Sequence, residues 1–388
     1  MRVLFLTAWY PTPDAPTAGI FVREHARAVA LHHDVTVLHI VHVPDQETRG
    51  WRIVEERDPQ LTMGIRTLRV VRGPRFSAYP FKVYAAVKAA RALQPDLIHA
   101  HVYEAGVPAV LVGKRMGIPV LVTEQWSGFP LNLLGWRQRL QAHFTFRLAD
   151  CVLPVSAALA AALRRYVGRS VPVEIIPNTV DVDLFYPAER SHVETGCARL
   201  LFAGLLDPND VKNLPLLLRA LRRLADSGAS LHLDVAGDGP SYQRCKELAL
   251  QLDLQQCVRF YGLQPKLELA RLMRRADVFV LPSRWDNMPC VVVEALACGT
   301  PVVATRVGGI PEIVSDTNGI LVPSDDLDAL VRGLTSALAR LEQFDRNAIA
   351  SDAHARYSLQ AIGARFDAAY ADVFARRRGR IPSPVVSS

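Results

Sequence analysis

Two carboxylates bracket the start of one strongly apolar segment. Residues 282–289 read Pro-Ser-Arg-Trp-Asp-Asn-Met-Pro, and residues 290–299 read Cys-Val-Val-Val-Glu-Ala-Leu-Ala-Cys-Gly. The second stretch predicts a buried helix that ends at Gly299, with Glu294 as its only charge. A buried carboxylate is unfavourable unless a partner binds it, and a ligand with vicinal hydroxyl groups is one such partner. An ion pair with a buried arginine is the structural alternative.

The start of this helix is suited to an anion. Pro289 fits the first helical position, where its missing N–H is not needed. The amides of Cys290 and Val291 then lie in the first turn, where they and the helix dipole favour a diphosphate. Asp286 lies in the preceding loop, so we expect both acids to face the same ligand.

Short β-branched runs alternate with helical periodicity in two series along the chain. The first series covers residues 3–123 and the second covers residues 200–304. This pattern predicts an α/β fold with two Rossmann-like, doubly wound parallel sheets. In such sheets ligands bind beyond the carboxyl ends of the strands, which is where the candidate residues fall.

A segment rich in Pro, Asp and Glu at residues 178–199 predicts the domain boundary. We therefore expect an N-terminal domain at 1–180, a C-terminal domain at 181–358, and a C-terminal helix with a basic tail at 359–388. Apolar residues at helical spacing within 359–376 predict that this helix packs back on the N-terminal domain.

Composition narrows the class of protein. The 388-residue chain carries a net charge of +7, which suits anionic partners such as nucleotide diphosphates or an anionic membrane. None of its six cysteines forms a Cys-x-x-Cys pair, so we expect free, buried thiols in a reducing compartment. The chain offers no secretory core and no apolar stretch long enough to cross a bilayer, which predicts a cytoplasmic protein.

Several motifs in order resemble glycosyltransferase family 4. Asp286 and Glu294 are separated by seven residues and followed by Ala-Leu-Ala-Cys-Gly-Thr-Pro-Val-Val. Further matches are Val-Gly-Gly-Ile-Pro-Glu-Ile-Val at 307–314, Asn-Gly-Ile-Leu-Val-Pro at 318–323, Ala-Gly-Asp-Gly-Pro at 236–240, Ile-Pro-Asn-Thr-Val-Asp at 176–181 and Ala-Gly-Ile-Phe-Val-Arg-Glu-His at 18–25. The resemblance covers nearly the whole chain and is to members that build bacterial cell-surface polysaccharides.

The resemblance implies a GT-B fold, in which an acceptor-side N-terminal domain and a nucleotide-sugar-binding C-terminal domain face a cleft. It implies retaining transfer of a sugar from a UDP- or GDP-sugar without a metal or other cofactor. The implied acceptor is a saccharide or a polyprenyl-linked saccharide. Peripheral contact with the anionic inner face of the cell membrane is the implied location, and no nucleic acid is expected as a partner.

By position, the family's functional residues map onto five residues of this chain. Glu294 corresponds to the residue that binds the nucleotide ribose, and Asp286 to the acid that binds the transferred sugar. Lys212 corresponds to a lysine on the donor phosphates, and Gly19 to a glycine whose backbone approaches the diphosphate. Gln125 stands where relatives have a histidine near the reacting sugar. The remaining donor-binding candidates are Met288, Cys290 and Val291.

Other residues and other functions stay open. Glu124 is either a ligand-binding or a structural carboxylate, and His25, His99 and His101 are interpreted as structural. Gln125, together with a leucine at 205 where relatives often have arginine, favours a non-catalytic sugar-nucleotide-binding protein as an alternative. A nucleotide-sugar epimerase is a second alternative, whereas a dinucleotide-dependent oxidoreductase lacks its Gly-x-Gly-x-x-Gly motif.

Overall fold

The computed structural model describes residues 1–12, 15–40, 51–56, 66–72, 78–188 and 196–379. The chain forms two compact units. One consists of Met1–Thr179 with Leu359–Ser388, and the other of Val180–Ser358. Helices of the described residues are all too short or too polar to span a membrane.

The first unit is a seven-stranded sheet with helices α1–α5 and α12. Its strands are β1 (Arg2–Thr7), β2 (Asp34–Ile40), β3 (Trp51–Glu56), β4 (Arg66–Arg72), β5 (Leu97–His101), β6 (Val120–Glu124) and β7 (Cys151–Pro154). Its helices are α1 (Ile20–Ala30), α2 (Ala78–Leu93), α3 (Tyr103–Met116), α4 (Trp136–Leu148), α5 (Ala157–Leu163) and α12 (Leu359–Arg377). The strand order is β3-β4-β2-β1-β5-β6-β7.

This sheet is parallel except at one edge. β3 runs antiparallel to β4, while the other neighbouring strands pair in parallel. Central strands are buried on both faces, as in β1, where Val3–Leu6 are shielded from solvent. The predicted doubly wound sheet is therefore confirmed, and the antiparallel edge is an addition to it.

The last helix, α12, packs on α1 within this unit. A Cβ on Gly363 would lie 2.5 Å from the Ala28 carbonyl oxygen, so the glycine permits close approach of the two helices. Phe366 and Tyr370 from α12 are fully buried in the core of the unit. Beyond them, the Arg377 guanidinium donates to the Asp150 carboxylate at 2.9 Å. This arginine of the basic tail is therefore already neutralised by an internal partner.

The second unit is a six-stranded sheet in which every neighbouring pair is parallel. Its strands are β8 (Ala198–Ala203), β9 (Leu231–Ala236), β10 (Val258–Gly262), β11 (Val278–Leu281), β12 (Val302–Thr305) and β13 (Gly319–Val322), ordered β10-β9-β8-β11-β12-β13. Its helices are α6 (Leu214–Asp226), α7 (Tyr242–Gln251), α8 (Lys266–Arg275), α9 (Cys290–Ala297), α10 (Leu327–Ala339) and α11 (Arg346–Tyr357). No disulfide joins the six cysteines, which all lie in the described residues. Cys151, Cys245 and Cys298 are buried as expected, whereas Cys257 and Cys290 are partly buried and Cys197 is exposed.

Candidate active site

Asp286 and Lys212 form an ion pair in the second unit. The Lys212 ammonium donates to Asp286 Oδ2, and both side chains are mostly buried. Ser283 Oγ also donates to the same carboxylate oxygen, at 3.4 Å. Two residues predicted separately as site residues, 74 positions apart, are thus brought into direct contact.

Two loops that follow β8 and β11 are joined by their backbones. The Arg284 N–H donates to the Val211 carbonyl at 2.8 Å, which places the loop of Lys212 beside the loop of Asp286. The Asp207 carboxylate accepts the amides of Asn209 and Val211, each at 2.9 Å. Asp207 therefore orders the turn that presents the lysine, a role that the sequence analysis did not identify although an Asp-Pro-Asn turn is a recognisable signal.

Gly308 fixes the backbone of Asp286 from a third loop. Its φ is +50°, and a Cβ on it would lie 1.8 Å from the Asp286 carbonyl oxygen. The amide of Gly309 donates to that same carbonyl at 3.0 Å. A glycine is therefore required at 308 by contact with the Asp286 loop as well as by its left-handed backbone.

Helix α9 begins next to this loop. Pro289 is the residue before the helix rather than its first residue, which corrects the predicted position by one. Cys290 and Val291 are then the first two helical residues and are partly exposed, whereas Met288 is buried. Because the first amides of an α-helix have no acceptor within it, this end of α9 retains the chemistry of an anion site.

Glu294 is buried, as predicted, but it is not alone. Its Oε1 lies 3.5 Å from Lys266 Nζ, at the start of α8, and its side chain is 7% exposed. Lys266 also lies over the ring of Phe185, 5.9 Å from its centroid. The structural alternative of an ion pair is thus realised with a half-buried lysine in place of an arginine. The sequence analysis missed Lys266 because it lies 28 positions before Glu294 in the chain.

Arg284 and Leu205 lie in the two loops that carry Asp286 and Lys212. Arg284 is exposed, and its Nε donates to the Asp325 carboxylate at 3.0 Å. Its Nη1 donates to the Asn209 carbonyl at 2.9 Å. Leu205 is exposed and brings no charge. Lys212 is therefore the cation that directly contacts the Asp286 carboxylate.

Gly19 lies in the first unit, immediately before α1. Its φ is +65°, and a Cβ there would lie 2.3 Å from the Trp9 carbonyl carbon. The close contact with Trp9 explains why glycine is needed here without invoking a ligand. The approach of its backbone to a diphosphate stays a prediction.

Gln125 also lies in the first unit, where its side-chain nitrogen is 3.5 Å from His25 Nδ1. His25 Nε2 lies 3.2 Å from the Pro177 carbonyl oxygen. Because a carbonyl only accepts, Nε2 carries the proton and Nδ1 accepts from the Gln125 amide. Burial lowers the pKa of His25 to about 4, so this arrangement persists at neutral pH. His25 therefore orients Gln125, which extends its predicted structural role.

Glu124 is a structural carboxylate. It is fully buried and accepts the amides of Tyr103, Gln125 and Trp126 at 2.8–2.9 Å. Burial raises the pKa of Glu124 to about 7, although the three amides act in the opposite direction. Its oxygens cap the first residue of α3 and the turn after β6, which favours the structural interpretation of Glu124.

The other histidines form a buried cluster. His99 bonds to Tyr370 Oη and Thr123 Oγ1, each at 2.7 Å, and so joins α12 to the sheet. His101 lies 4.4 Å from His99 between ring centroids, and neither of its nitrogens has a hydrogen-bond partner within the described part of the chain. Burial lowers the pKa of both side chains well below the ordinary value.

Potential metal ligands do not converge in the described residues. No group of three or more His, Cys, Asp or Glu side chains is arranged to hold an ion there. The Asp181 carboxylate instead accepts the amide of Asp183 at 3.2 Å.

Comparison with known proteins identifies the class. Residues 17–179 match the family model for the glycosyl transferase 4-like domain, and residues 190–351 match the family model for glycosyl transferases group 1. The chain therefore belongs to glycosyltransferase family 4 and is a transferase of the GT-B type.

Individual relatives share this class. The chain is 32% identical to D-inositol 3-phosphate glycosyltransferase 2 of Catenulispora acidiphila, over 72% of this chain and 70% of the relative. It is 25% identical to a glycogen synthase of Mycobacterium tuberculosis, over 99% and 97% of the two chains. It is 29% identical to WcaL of Escherichia coli, described as a colanic acid biosynthesis glycosyltransferase, over 66% and 63%.

Solved structures share the fold. Sucrose-phosphate synthase from Thermosynechococcus elongatus superposes with a TM-score of 0.80 at 23% identity, over 97% of this chain and 100% of that one. HepE from Anabaena, in complex with UDP and glucose, superposes with a TM-score of 0.74 at 17% identity, over 96% and 100%. Both therefore support the two-sheet GT-B architecture.

Proposed function

We propose that the protein is a retaining glycosyltransferase that moves a sugar from a UDP- or GDP-sugar to a saccharide or polyprenyl-linked saccharide during bacterial polysaccharide synthesis. The observation that carries the proposal is the contact of Lys212 with Asp286 beside the first turn of α9, the helix that also holds Glu294. HepE, a protein of the same fold, binds UDP, which supports a nucleotide donor. The relative WcaL supports polysaccharide synthesis as the setting.

In the proposed complex, each site residue binds a different part of the donor. Glu294, buried within α9, binds the ribose hydroxyls of the nucleotide. Asp286 binds hydroxyls of the transferred sugar, at the point where the loop meets the helix. Met288, Cys290 and Val291 surround the diphosphate through the start of α9. Gly19 and Gln125 contribute from the N-terminal domain, with Gln125 donating to or accepting from the reacting sugar.

Transfer proceeds without a metal. Breaking the bond between sugar and phosphate leaves negative charge on the diphosphate, and stabilising that charge is the main electrostatic demand of the reaction. The Lys212 ammonium and the amides at the start of α9 supply this stabilisation. Lys212 contacts the Asp286 carboxylate in the structure. On donor binding, the diphosphate replaces this carboxylate as the anionic partner of the lysine.

The experiment is a thermal-shift screen against UDP-, GDP-, ADP- and dTDP-sugars, followed by donor turnover with and without EDTA. We expect one nucleotide class to raise the melting temperature and turnover to be insensitive to EDTA. Binding without turnover on any acceptor would favour the non-catalytic sugar-nucleotide-binding alternative. Conversion of the free donor to its epimer would favour the epimerase, and loss of turnover in EDTA would contradict metal independence.

A further inference from the structure

An exposed apolar stripe lies on helix α4 of the first unit. Trp136, Leu140 and Phe144 recur at every fourth position and so occupy one face of the helix. Trp136 is 68% exposed and Leu140 is 61% exposed, and Leu133 in the preceding loop is 63% exposed. The opposite face of α4 is buried through Ala142, Thr145 and Phe146. The helix is therefore apolar on the side that faces solvent as well as on the side that faces the core.

The charged side chains of α4 are all basic. Between Glu124 and Asp150 the sequence contains no acidic residue, and the exposed arginines of α4 are Arg137, Arg139 and Arg147. The Arg137 guanidinium lies 5.0 Å from the Trp136 ring centroid, so charge and aromatic surface are adjacent. Aromatic and leucine side chains flanked by arginines on one helical face are typical of helices that lie in a bilayer interface.

We propose that the outward face of α4, formed by Leu133, Trp136, Leu140 and Phe144 with Arg137 and Arg147, is a docking surface for an anionic membrane. The apolar side chains enter the boundary between head groups and acyl chains, where burial of apolar area favours binding. The arginines remain at the head groups, which their long side chains allow, and attract acidic lipids. This surface gives a location to the membrane contact that the family resemblance implies, and it rests on the proposed function only for the lipid-linked acceptor.

Charge complementarity favours an anionic membrane over a second copy of this chain as the binding partner of this face of α4. A second copy of this chain would have to bring a matching acidic, apolar surface to α4, because arginines repel one another across a two-fold axis. An anionic bilayer meets both requirements without any matched shape. Free nucleotide or phosphate would use the arginines but leave the tryptophan and leucine stripe in water.

The test uses the full chain and vesicles of equal parts phosphatidylcholine and phosphatidylglycerol. Co-sedimentation should be strong with these vesicles, weaker at high salt, and weak with phosphatidylcholine alone. Leu140→Ser and Trp136→Ser should each reduce vesicle binding by about tenfold, and Arg137→Gln or Arg147→Gln by roughly fivefold each. Trp136→Phe should retain binding but lose part of the blue shift in tryptophan emission that vesicles cause.

Leu250→Ser is the matched control, because Leu250 is a 58% exposed leucine on α7 of the other unit. It should bind vesicles like the unmodified protein, and all variants should keep their melting temperature and nucleotide affinity in vesicle-free buffer. Absence of vesicle binding, equal binding by all variants, or conversion of a dimer to a monomer by Leu140→Ser would each overturn the proposal. Because nucleotide affinity is measured separately, failure of the donor site would leave the vesicle result interpretable.

Discussion

At the scale of single residues, we expect Lys212 to interact with two negatively charged groups, the Asp286 carboxylate and the donor diphosphate. It contacts Asp286 in the structure, and in the proposed reaction it stabilises the leaving diphosphate. Replacing it with methionine keeps the length of the side chain but removes the ammonium. We expect Lys212→Met to lower kcat/KM for the donor by ~100-fold or more, in line with the loss of one preorganised electrostatic partner.

Lys246→Met is the control for that variant, since Lys246 is an exposed lysine on α7. In steady-state kinetics of donor turnover, Lys246→Met should have a kcat/KM close to that of the unmodified protein. If Lys212→Met changed turnover no more than Lys246→Met does, Lys212 would be a structural partner of Asp286 only.

The pairing of Glu294 with Lys266 changes what substitution should do to stability. From sequence alone, removing Glu294 would relieve an isolated buried charge and leave the fold intact. In the structure, Lys266 lies 3.5 Å away, so removing the lysine leaves the buried carboxylate without this cation. We expect Lys266→Met to lower the free energy of unfolding by about 1–3 kcal/mol, more than the near-isosteric Glu294→Gln does.

Urea denaturation of the two variants measures this difference. Lys266 is partly exposed, so its ammonium keeps access to water when Glu294 is neutralised, whereas the carboxylate does not gain water when Lys266 is lost. Equal destabilisation by both substitutions, or a larger effect of Glu294→Gln, would contradict this asymmetry.

At the scale of loops and helices, the site depends on glycines that let one backbone touch another. Gly308 lies against the Asp286 carbonyl with no room for a Cβ. We expect Gly308→Ala to displace the Asp286 loop, which should weaken donor binding by tenfold or more and destabilise the protein by about 1–3 kcal/mol. Gly228→Ala is the matched control because Gly228 also has positive φ but nothing within 4 Å of its Cβ position.

Both variants should be measured by urea unfolding and by nucleotide titration. Gly228→Ala should lose some stability through backbone strain and keep its nucleotide affinity. The interpretation of Gly308 would be wrong if the two glycine variants lost nucleotide affinity equally.

Elements with a strong periodic signal were predictable from the sequence, whereas elements with a mixed signal were not. The two series predicted at residues 3–123 and 200–304 both form parallel strands with helices between them, because a clear change of period separates strand from helix. Helix α4 was not predicted, since apolar residues on both of its faces remove the amphipathic pattern. The edge strand β3 was also missed, because strand pairing with β4 is a long-range interaction that local pattern does not encode.

The site was predictable to a similar degree. Residue type and motif spacing identified Asp286, Lys212 and Glu294, because a signature preserves order along the chain. The partner that neutralises Glu294, Lys266, comes from a distant segment and belongs to no quoted motif. His25 belongs to the motif at 18–25, but that motif does not encode its contact with Gln125, 100 positions away. Their roles follow only from three-dimensional proximity.

At the scale of the whole molecule, buried histidines make stability depend on pH. Burial lowers the pKa of His25 to about 4 and those of His99 and His101 well below 6.5, so the unfolded chain binds more protons than the folded chain below pH 6.5. Each such histidine should reduce the free energy of unfolding by up to ~1.4 kcal/mol per pH unit on acidification. Glu124, with its pKa raised to about 7, acts in the opposite direction between pH 4.5 and 7.

Three histidines outweigh one carboxylate, so the melting temperature should fall as the pH is lowered from 7 to 5. Substituting His101 by leucine should flatten this dependence, because neither His101 nitrogen has a hydrogen-bond partner in the described part of the chain. Scanning fluorimetry of both proteins across this pH range tests the prediction. A His101→Leu profile parallel to that of the unmodified protein would exclude His101 as a source of the acid sensitivity.

The proposed nucleotide-sugar site consists of α9 and its preceding loop, both in the second unit. This assignment is the central claim about the molecule as a family 4 glycosyltransferase. Calorimetric titration of UDP and GDP into the unmodified protein and into Glu294→Gln tests this claim most directly. We expect one of the two nucleotides to bind the unmodified protein, with at least about tenfold weaker binding to Glu294→Gln, as loss of a charge-assisted hydrogen bond implies. Equal affinity for the two proteins, or no binding of either nucleotide, would contradict it.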